Sequence, residues 1–171
     1  MCGEGVLIFV TVGEQLPFDR LISCVDRWAI ATNRSEVFAQ VGMSQYRARA
    51  IETVPFLPPD EFRMRVQAAR AIVAHAGIGT ILAALEQSRP IIVMPRSARL
   101  GEHRNDHQLA TARRFAEAGY VRAALDESEL IDALEAVDSQ PTPPRISPSA
   151  EKALLARIRL FLDAVALRGR A

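Results

Sequence analysis

Two short stretches hold most of the side chains that could do chemistry. The first is HAGIGT, His75 to Thr80, where an ionisable ring and two glycines follow a run of small apolar residues. Glycines at 77 and 79 let a backbone approach a phosphate closely. A helix opening near Gly79–Thr80 would aim free N–H groups and the positive end of its dipole at the same point, which makes an anion site. Thr80 can cap that helix or offer its hydroxyl to a phosphate oxygen, and His75 adds a donor beside it. The plain alternative is a structural histidine at a strand end, with glycines that serve only the turn. Neither GxGxxG nor a phosphate loop ending in GK[ST] occurs, so the stretch is not a dinucleotide or Walker fingerprint.

The second stretch is RSARLGEHRNDHQ, Arg96 to Gln108. Three arginines (Arg96, Arg99 and Arg104), two histidines (His103 and His107), Asn105, Asp106 and Gln108 crowd into one loop. Long polar loops after buried strands are disproportionately functional. A solvated loop in which Asn105 or Asp106 caps the next helix is the simpler reading. His103 and His107 lie four apart, a spacing that binds zinc on a helix, but no third ligand follows and no metal is expected. No GxSxG elbow is present, which argues against a stand-alone hydrolase.

These residues need a frame, and the order of apolar runs supplies one. Strands are predicted over Val6–Val12, Val37–Val41, Arg70–Ala74, Pro90–Met94 and Tyr120–Ala124, with a short extended piece near Val54–Leu57. Helices are predicted over Leu16–Ala31, Pro59–Ala69, Gly79–Gln87, Asn105–Ala118 and Asp126–Val137, the last opening on an acidic cap. Continuous apolar strands alternating with helices point to an α/β fold, a Rossmann-like doubly wound parallel sheet. In such a sheet ligands sit at the carboxyl ends of the strands. Gly13-Glu14-Gln15, the HAGIGT turn and Arg96 all fall there.

Composition sets the outer limits. The chain has 171 residues, 49% hydrophobic and 24% charged, with a formal net charge of +1. That is globular, and nothing in the charge balance argues for nucleic acid. Cys2 and Cys24 have no metal-ligand spacing and suit a reducing compartment. The apolar start reads as a first strand and not as a signal peptide, and no run reaches the roughly 18 apolar residues of a membrane span. The expected organisation is a domain over 1–139, a proline-rich spacer over 140–148, and a C-terminal amphipathic helix over 149–171. That helix carries Leu154, Leu155, Ile158, Phe161, Leu162 and Val165 on one stripe. The stripe packs either on the domain's own sheet or on another subunit.

TVGEQLPFDRLI, HAGIGT, ALEQSRPIIVMPR and GEHRNDHQLATA together resemble the C-terminal, donor-binding half of GT-B glycosyltransferases of the family 28 type. More narrowly, they resemble the soluble subunit of two-part enzymes. These include the eukaryotic GlcNAc transferase that extends the dolichol-linked sugar and the bacterial exopolysaccharide and capsule transferases. The resemblance implies a single GT-B half-domain with an extra C-terminal helix. It implies that Gly13, Glu14 and Gln15 form a phosphate-facing loop, and that His75, Gly77, Gly79 and Thr80 hold the nucleotide diphosphate. His107 and Gln108 would contact the donor sugar's hydroxyls, with Arg96 and Asn105 among the donor-binding residues. Many relatives place a ribose-binding glutamate where this chain has Ala83. Glu86, one helical turn on, either replaces it or is an exposed helix residue.

The implied activity is that of the donor-binding subunit of a heteromeric glycosyltransferase in exopolysaccharide synthesis. It would use a UDP-sugar as substrate and no other cofactor. His75 stabilises the leaving diphosphate, and the general base comes from elsewhere, because the chain has no second α/β half. A membrane-anchored, acceptor-binding subunit and a lipid-linked acceptor are the implied partners. The chain is then expected in the cytoplasm, recruited to the inner face of the membrane by that partner. Arg96, Arg99 and Arg104 could present a guanidinium fork to a carboxylate, which would suit UDP-glucuronate. The other reading is a nucleotide-binding regulatory or scaffold module without catalysis.

Overall fold

The computed structural model describes residues 8–147. Strands β1 (Ile8–Thr11), β2 (Val37–Gln40), β3 (Glu52–Val54), β4 (Ala71–His75), β5 (Ile91–Met94) and β6 (Arg122–Ala123) form one parallel sheet. Its order is β3-β2-β1-β4-β5-β6. Helices α1 (Asp19–Thr32), α2 (Pro59–Ala68), α3 (Ile78–Glu86), α4 (His107–Glu117) and α5 (Glu127–Glu135) make the crossovers.

Period-two alternation divides the core between the two faces. Ile8, Val10 and Val12 meet α1 and α5 through Leu21, Ile22, Val25, Leu130 and Leu134. Phe9, Ile72 and Ala74 point the other way, onto Val66 of α2, Ile81 and Leu85 of α3 and Ala112 of α4. The central strands β1, β4 and β5 are covered on both faces, which is why they read as unbroken apolar runs. The doubly wound α/β expectation holds. The order reverses between β1 and β4, where Thr11 stands opposite Ala74, so their carboxyl ends open a crevice.

Several boundaries shift, each for a physical reason. Helix α1 begins at Asp19 and not at Leu16, because the carbonyls of Leu16 and Pro17 accept from the Arg96 guanidinium at 2.6 Å each. Helix α4 begins at His107 and not at Asn105. The Asn105 side chain accepts from the His107 N–H, and the Asp106 carboxylate from the Ala98 N–H. Helix α3 starts one residue early, at Ile78, with Gly77 at its cap. Strand β3 ends at Val54, where the extended piece expected at Val54–Leu57 begins. Its Glu52 and Thr53 are exposed, so no apolar run marks it. Strand β6 is two residues long because Tyr120 still closes the end of α4 through its N–H to the Phe115 carbonyl, 3.0 Å. Asp126 caps α5 as expected, accepting from the Glu129 N–H at 2.9 Å.

The loop between β2 and β3 is fixed from α1 by two carboxylates. Asp19 accepts from the Ser44 hydroxyl and from the Gln45 N–H. Asp26, fully buried, accepts from the Tyr46 hydroxyl and from the N–H groups of Arg49, Ala50 and Ile51. After α5 the chain crosses to the other face, where the Ile146 N–H reaches the Leu85 carbonyl at the end of α3. The C-terminal helix expected over 149–171, with its apolar stripe, lies outside the described residues. Among the described residues no helix is long and apolar enough to cross a membrane.

Candidate functional site

A cleft of about 680 Å³ opens at the carboxyl ends of β1 and β4. That size suits a small-molecule ligand. Gly13, Glu14 and Gln15 line it from the turn after β1, and His75, Gly77, Gly79 and Thr80 from the turn after β4. Arg96, His107 and Gln108 line it from the long loop. Of the twelve residues that the resemblance assigns to donor binding, eleven therefore meet at one place; Glu86 is among them and Asn105 is not.

His75 ends β4, and its ring is wedged between two glycines. A Cβ on Gly77 would lie 2.1 Å from the ring Nε2, and one on Gly13 would lie 2.8 Å from Cε1. Both positions exclude any side chain larger than hydrogen while the ring keeps its place. Gly13 also adopts φ +74°, which favours glycine independently. Gly77 thus serves the histidine directly, whereas only Gly79, whose Cβ would meet nothing within 4 Å, leaves its surface open. Gly42, φ +57°, packs on the Gly13 carbonyl, which a Cβ would approach to 2.9 Å. The two loops after β1 and β2 therefore touch.

The His75 ring is partly buried, and its Nδ1 is shut off from solvent without a hydrogen-bond partner. Burial pushes its pKa from 6.5 down to about 4. Arg96 and His103 add to that shift, and the Thr11 backbone opposes it. The ring is therefore neutral at neutral pH and can act as a hydrogen-bond donor without carrying charge. Beside it, the first turn of α3 presents the N–H groups of Ile78, Gly79 and Thr80, which have no acceptor inside the helix. Thr80 sits within that turn, not at its cap, and is buried with its residue on the cleft wall.

Arg96 has a different place from the one expected. It is 3% exposed, and its guanidinium donates to the carbonyls of Val12 (2.8 Å), Leu16, Pro17 and Glu102 (3.3 Å). It ties the first glycine loop to the long loop and stacks over the Phe18 ring. A fork toward a donor carboxylate is therefore not available from it. Arg99 and Arg104 are exposed and do not line the cleft. The long loop is further pinned by Arg20, which grips Glu102 with two N–H donors at 2.7 and 2.8 Å, while Glu102 accepts from the Ser97 N–H.

Asn105 does not line the cleft; its side chain accepts from the His107 N–H and faces the His107 ring. The Gln108 side chain is 4% exposed, and its carbonyl accepts from the Arg96 N–H at 3.2 Å. His103 and His107 stand edge to face with centroids 4.6 Å apart, but only His107 is on α4, so they do not form an i, i+4 pair on a helix. His103 is held below the usual imidazole range by burial first, then by His107, Arg96 and Arg104. Among the described residues no group of three or more His, Cys, Asp or Glu could hold a metal.

The sequence did not single out Leu57, Phe62 or Arg63, which form the far end of the cleft beside Ala83 and Glu86. The first two are ordinary apolar residues, Leu57 in an irregular stretch and Phe62 on α2. Only the fold of α2 against α3 brings them to the site. Nor did it find Arg20, whose role needs Glu102, 82 positions away. No local pattern carries that pairing.

Residues 7–159 match the glycosyltransferase family 28 C-terminal domain. Over 200 aligned residues the chain is 25% identical to the UDP-N-acetylglucosamine transferase subunit ALG13 of Saccharomyces cerevisiae, covering 91% of this chain and 97% of that protein. It is 28% identical over 126 residues to the protein of the same name from Homo sapiens, covering 67% of this chain but 10% of the human protein. The chain thus spans nearly all of the yeast relative and a tenth of the human one. Among solved structures, the glycotransferase of kitacinnamycin aligns with TM-score 0.63 and 18% identity, covering 82% of this chain and 37% of that one. A solution structure of ALG13 aligns with TM-score 0.58 and 20% identity, covering 89% and 94%. Os79 from O. sativa, in complex with UDP, aligns with TM-score 0.58 and 16% identity, covering 78% and 32%. At these identities the structural likeness establishes the fold: one half of a GT-B architecture.

Proposed function

The chain belongs to the glycosyltransferase family 28 C-terminal domains, and from that premise we propose that it is the donor-binding subunit of a two-part glycosyltransferase. The diphosphate of a UDP-sugar lies at the HAGIGT turn, against the α3 N-terminus and the neutral His75 ring. The nucleoside extends toward Leu57, Phe62 and Ala83, with Glu86 placed for the ribose hydroxyls. The sugar lies toward His107 and Gln108. The observation that carries this reading is the meeting, at the β1–β4 switch point, of a helix N-terminus with a histidine seated between two glycines on the cleft wall.

The chemistry follows from that placement. An acceptor hydroxyl attacks the anomeric carbon, the bond from that carbon to the diphosphate oxygen breaks, and its electron pair goes to the departing UDP. Charge builds on the β-phosphate as this happens. The α3 N–H groups and His75 are fixed donors aimed where that charge develops, so they lower the barrier without reorganising. A base must still take the acceptor's proton. Such a base and the acceptor site come from a membrane-attached partner, and the acceptor is carried on a lipid, as in exopolysaccharide assembly. The chain then works at the inner face of the membrane without spanning it.

UDP-N-acetylglucosamine, named in two relatives, is the donor to test first. UDP-glucuronate draws no support from the arginines, since Arg96 is engaged by backbone carbonyls and Arg99 and Arg104 stand off the cleft. Calorimetric titration with UDP tests the reading. The native chain binds, and His75→Ala weakens binding at least tenfold without loss of fold. Equal affinity in the two proteins would remove the diphosphate from this turn.

A further inference from the structure

We propose that Asn105 is a positioning residue that fixes His107 as a hydrogen-bond acceptor toward the donor sugar. With Gln108 fixed as a donor, the pair reads a free sugar hydroxyl with a set polarity. The proposal rests on the cleft being a nucleotide-sugar site, but its first step is independent of any ligand.

A backbone N–H can only donate. The side-chain atom of Asn105 that faces the His107 N–H at 3.3 Å must therefore be its carbonyl oxygen, which settles the orientation of that amide. The same oxygen faces Nδ1 of the His107 ring. An acceptor on that side requires Nδ1 to carry the proton. A neutral ring with Nδ1–H has its lone pair on Nε2, so His107 offers an acceptor on its far side. His107 lines the cleft and Asn105 does not, so Asn105 works through the ring.

Gln108 is settled in the same way. The Arg96 N–H donates to its side-chain carbonyl oxygen at 3.2 Å, so that oxygen is occupied and the NH₂ group remains to donate. The side chain is 4% exposed, which leaves little freedom to flip. Both residues line the cleft, so the adjacent pair offers it one acceptor and one donor. A hydroxyl, which donates and accepts, matches both. A carboxylate or an amide carbonyl cannot donate to His107 Nε2. The sugar group met here therefore both donates and accepts, as a free hydroxyl does and a carboxylate does not.

The test uses the full chain labelled with nitrogen-15, at about pH 8, where free imidazole is neutral. Long-range proton–nitrogen spectra report which nitrogen of each of the three histidines is protonated, and His107→Gln identifies the His107 signals. The native chain and Asn105→Asp, which keeps an acceptor beside Nδ1, show His107 protonated at Nδ1. Asn105→Ala moves the proton toward Nε2. In parallel, the ratio of affinities for UDP-N-acetylglucosamine and for UDP falls about tenfold in Asn105→Ala and is restored in Asn105→Asp. A native His107 protonated at Nε2, or a tautomer unmoved by Asn105→Ala, overturns the role given to Asn105. An unchanged affinity ratio overturns the hydroxyl reading while leaving the nucleotide site in place. Failure of the native chain to bind UDP overturns the nucleotide site instead, and the spectra alone then decide the part played by Asn105.

Discussion

Asp26 and His75 both place an ionisable group inside the protein, and they are treated in opposite ways. The Asp26 carboxylate is fully buried, yet three backbone N–H groups and the Tyr46 hydroxyl converge on it. Burial alone would raise its pKa, but the hydrogen bonds from Ala50, Arg49, Tyr46 and Ile51 outweigh it and hold the carboxyl below the usual range. The His75 ring has glycines on either side and an unpartnered Nδ1, and burial discharges it. A buried group that is fully satisfied organises the fold. One discharged by burial and pressed between glycines at the wall of an open cleft stands where a ligand can meet it.

The largest effect should come from the satisfied group. Asp26→Ala leaves several buried donors without an acceptor and loosens the loop from Tyr46 to Ile51. A loss of about 4 kcal/mol in denaturant unfolding is expected. Because the native pKa of Asp26 is depressed, its contribution is present above the ordinary carboxylate value near 3.8 and fades as pH falls through the native value. A loss below about 1 kcal/mol would make Asp26 no more structural than His75.

Acid should next expose the unsatisfied group. The native pKa of His75 lies below that of the unfolded chain, so the unfolded state takes up the proton first. Stability is complete above about pH 6.5, falls between there and about 4, and levels off below. The gap corresponds to at most about 3 kcal/mol. Unfolding of His75→Phe followed over the same range should lack that segment of the slope. A slope common to both proteins would assign it to other groups.

Gly77→Ala sharpens the contrast further, because its Cβ would meet the His75 ring at 2.1 Å. The ring must turn out of place, at a cost of about 2 kcal/mol in stability and at least tenfold in UDP affinity. Gly79→Ala is the smallest change. Its Cβ meets nothing, and it lies in the first turn of α3, so stability should hold or rise by about 0.5 kcal/mol. UDP affinity should nevertheless fall severalfold if a phosphate approaches that backbone. Equal behaviour of the two alanine variants in both measurements would dissolve the distinction between a glycine that seats the histidine and one that seats the ligand.

Hydrophobic runs and punctuating glycines made the fold legible in one dimension. Val10, Val73 and Ile92 sit in unbroken apolar stretches because central parallel strands are buried on both faces, and that requirement is written locally. The carboxyl-end placement of Gly13, His75 and Arg96 follows from the same topology, so the sequence could place them at that edge. What a buried side chain does once there depends on partners far away in the chain. Arg96 read as a ligand for a donor carboxylate and is a clamp on Val12 and Leu16, residues 84 and 80 positions distant. Asn105 read as a donor-binding residue and instead faces His107. Asp26, which no sequence pattern marked, holds a whole loop. Periodicity and turn chemistry are properties of neighbours, so most strands and helices, and the edge of the sheet on which the polar residues fall, can be read along the chain. Hydrogen-bond satisfaction is a property of contacts between distant segments, so which of those polar groups are already occupied emerges with the folded contacts of Arg96, Asn105 and Asp26.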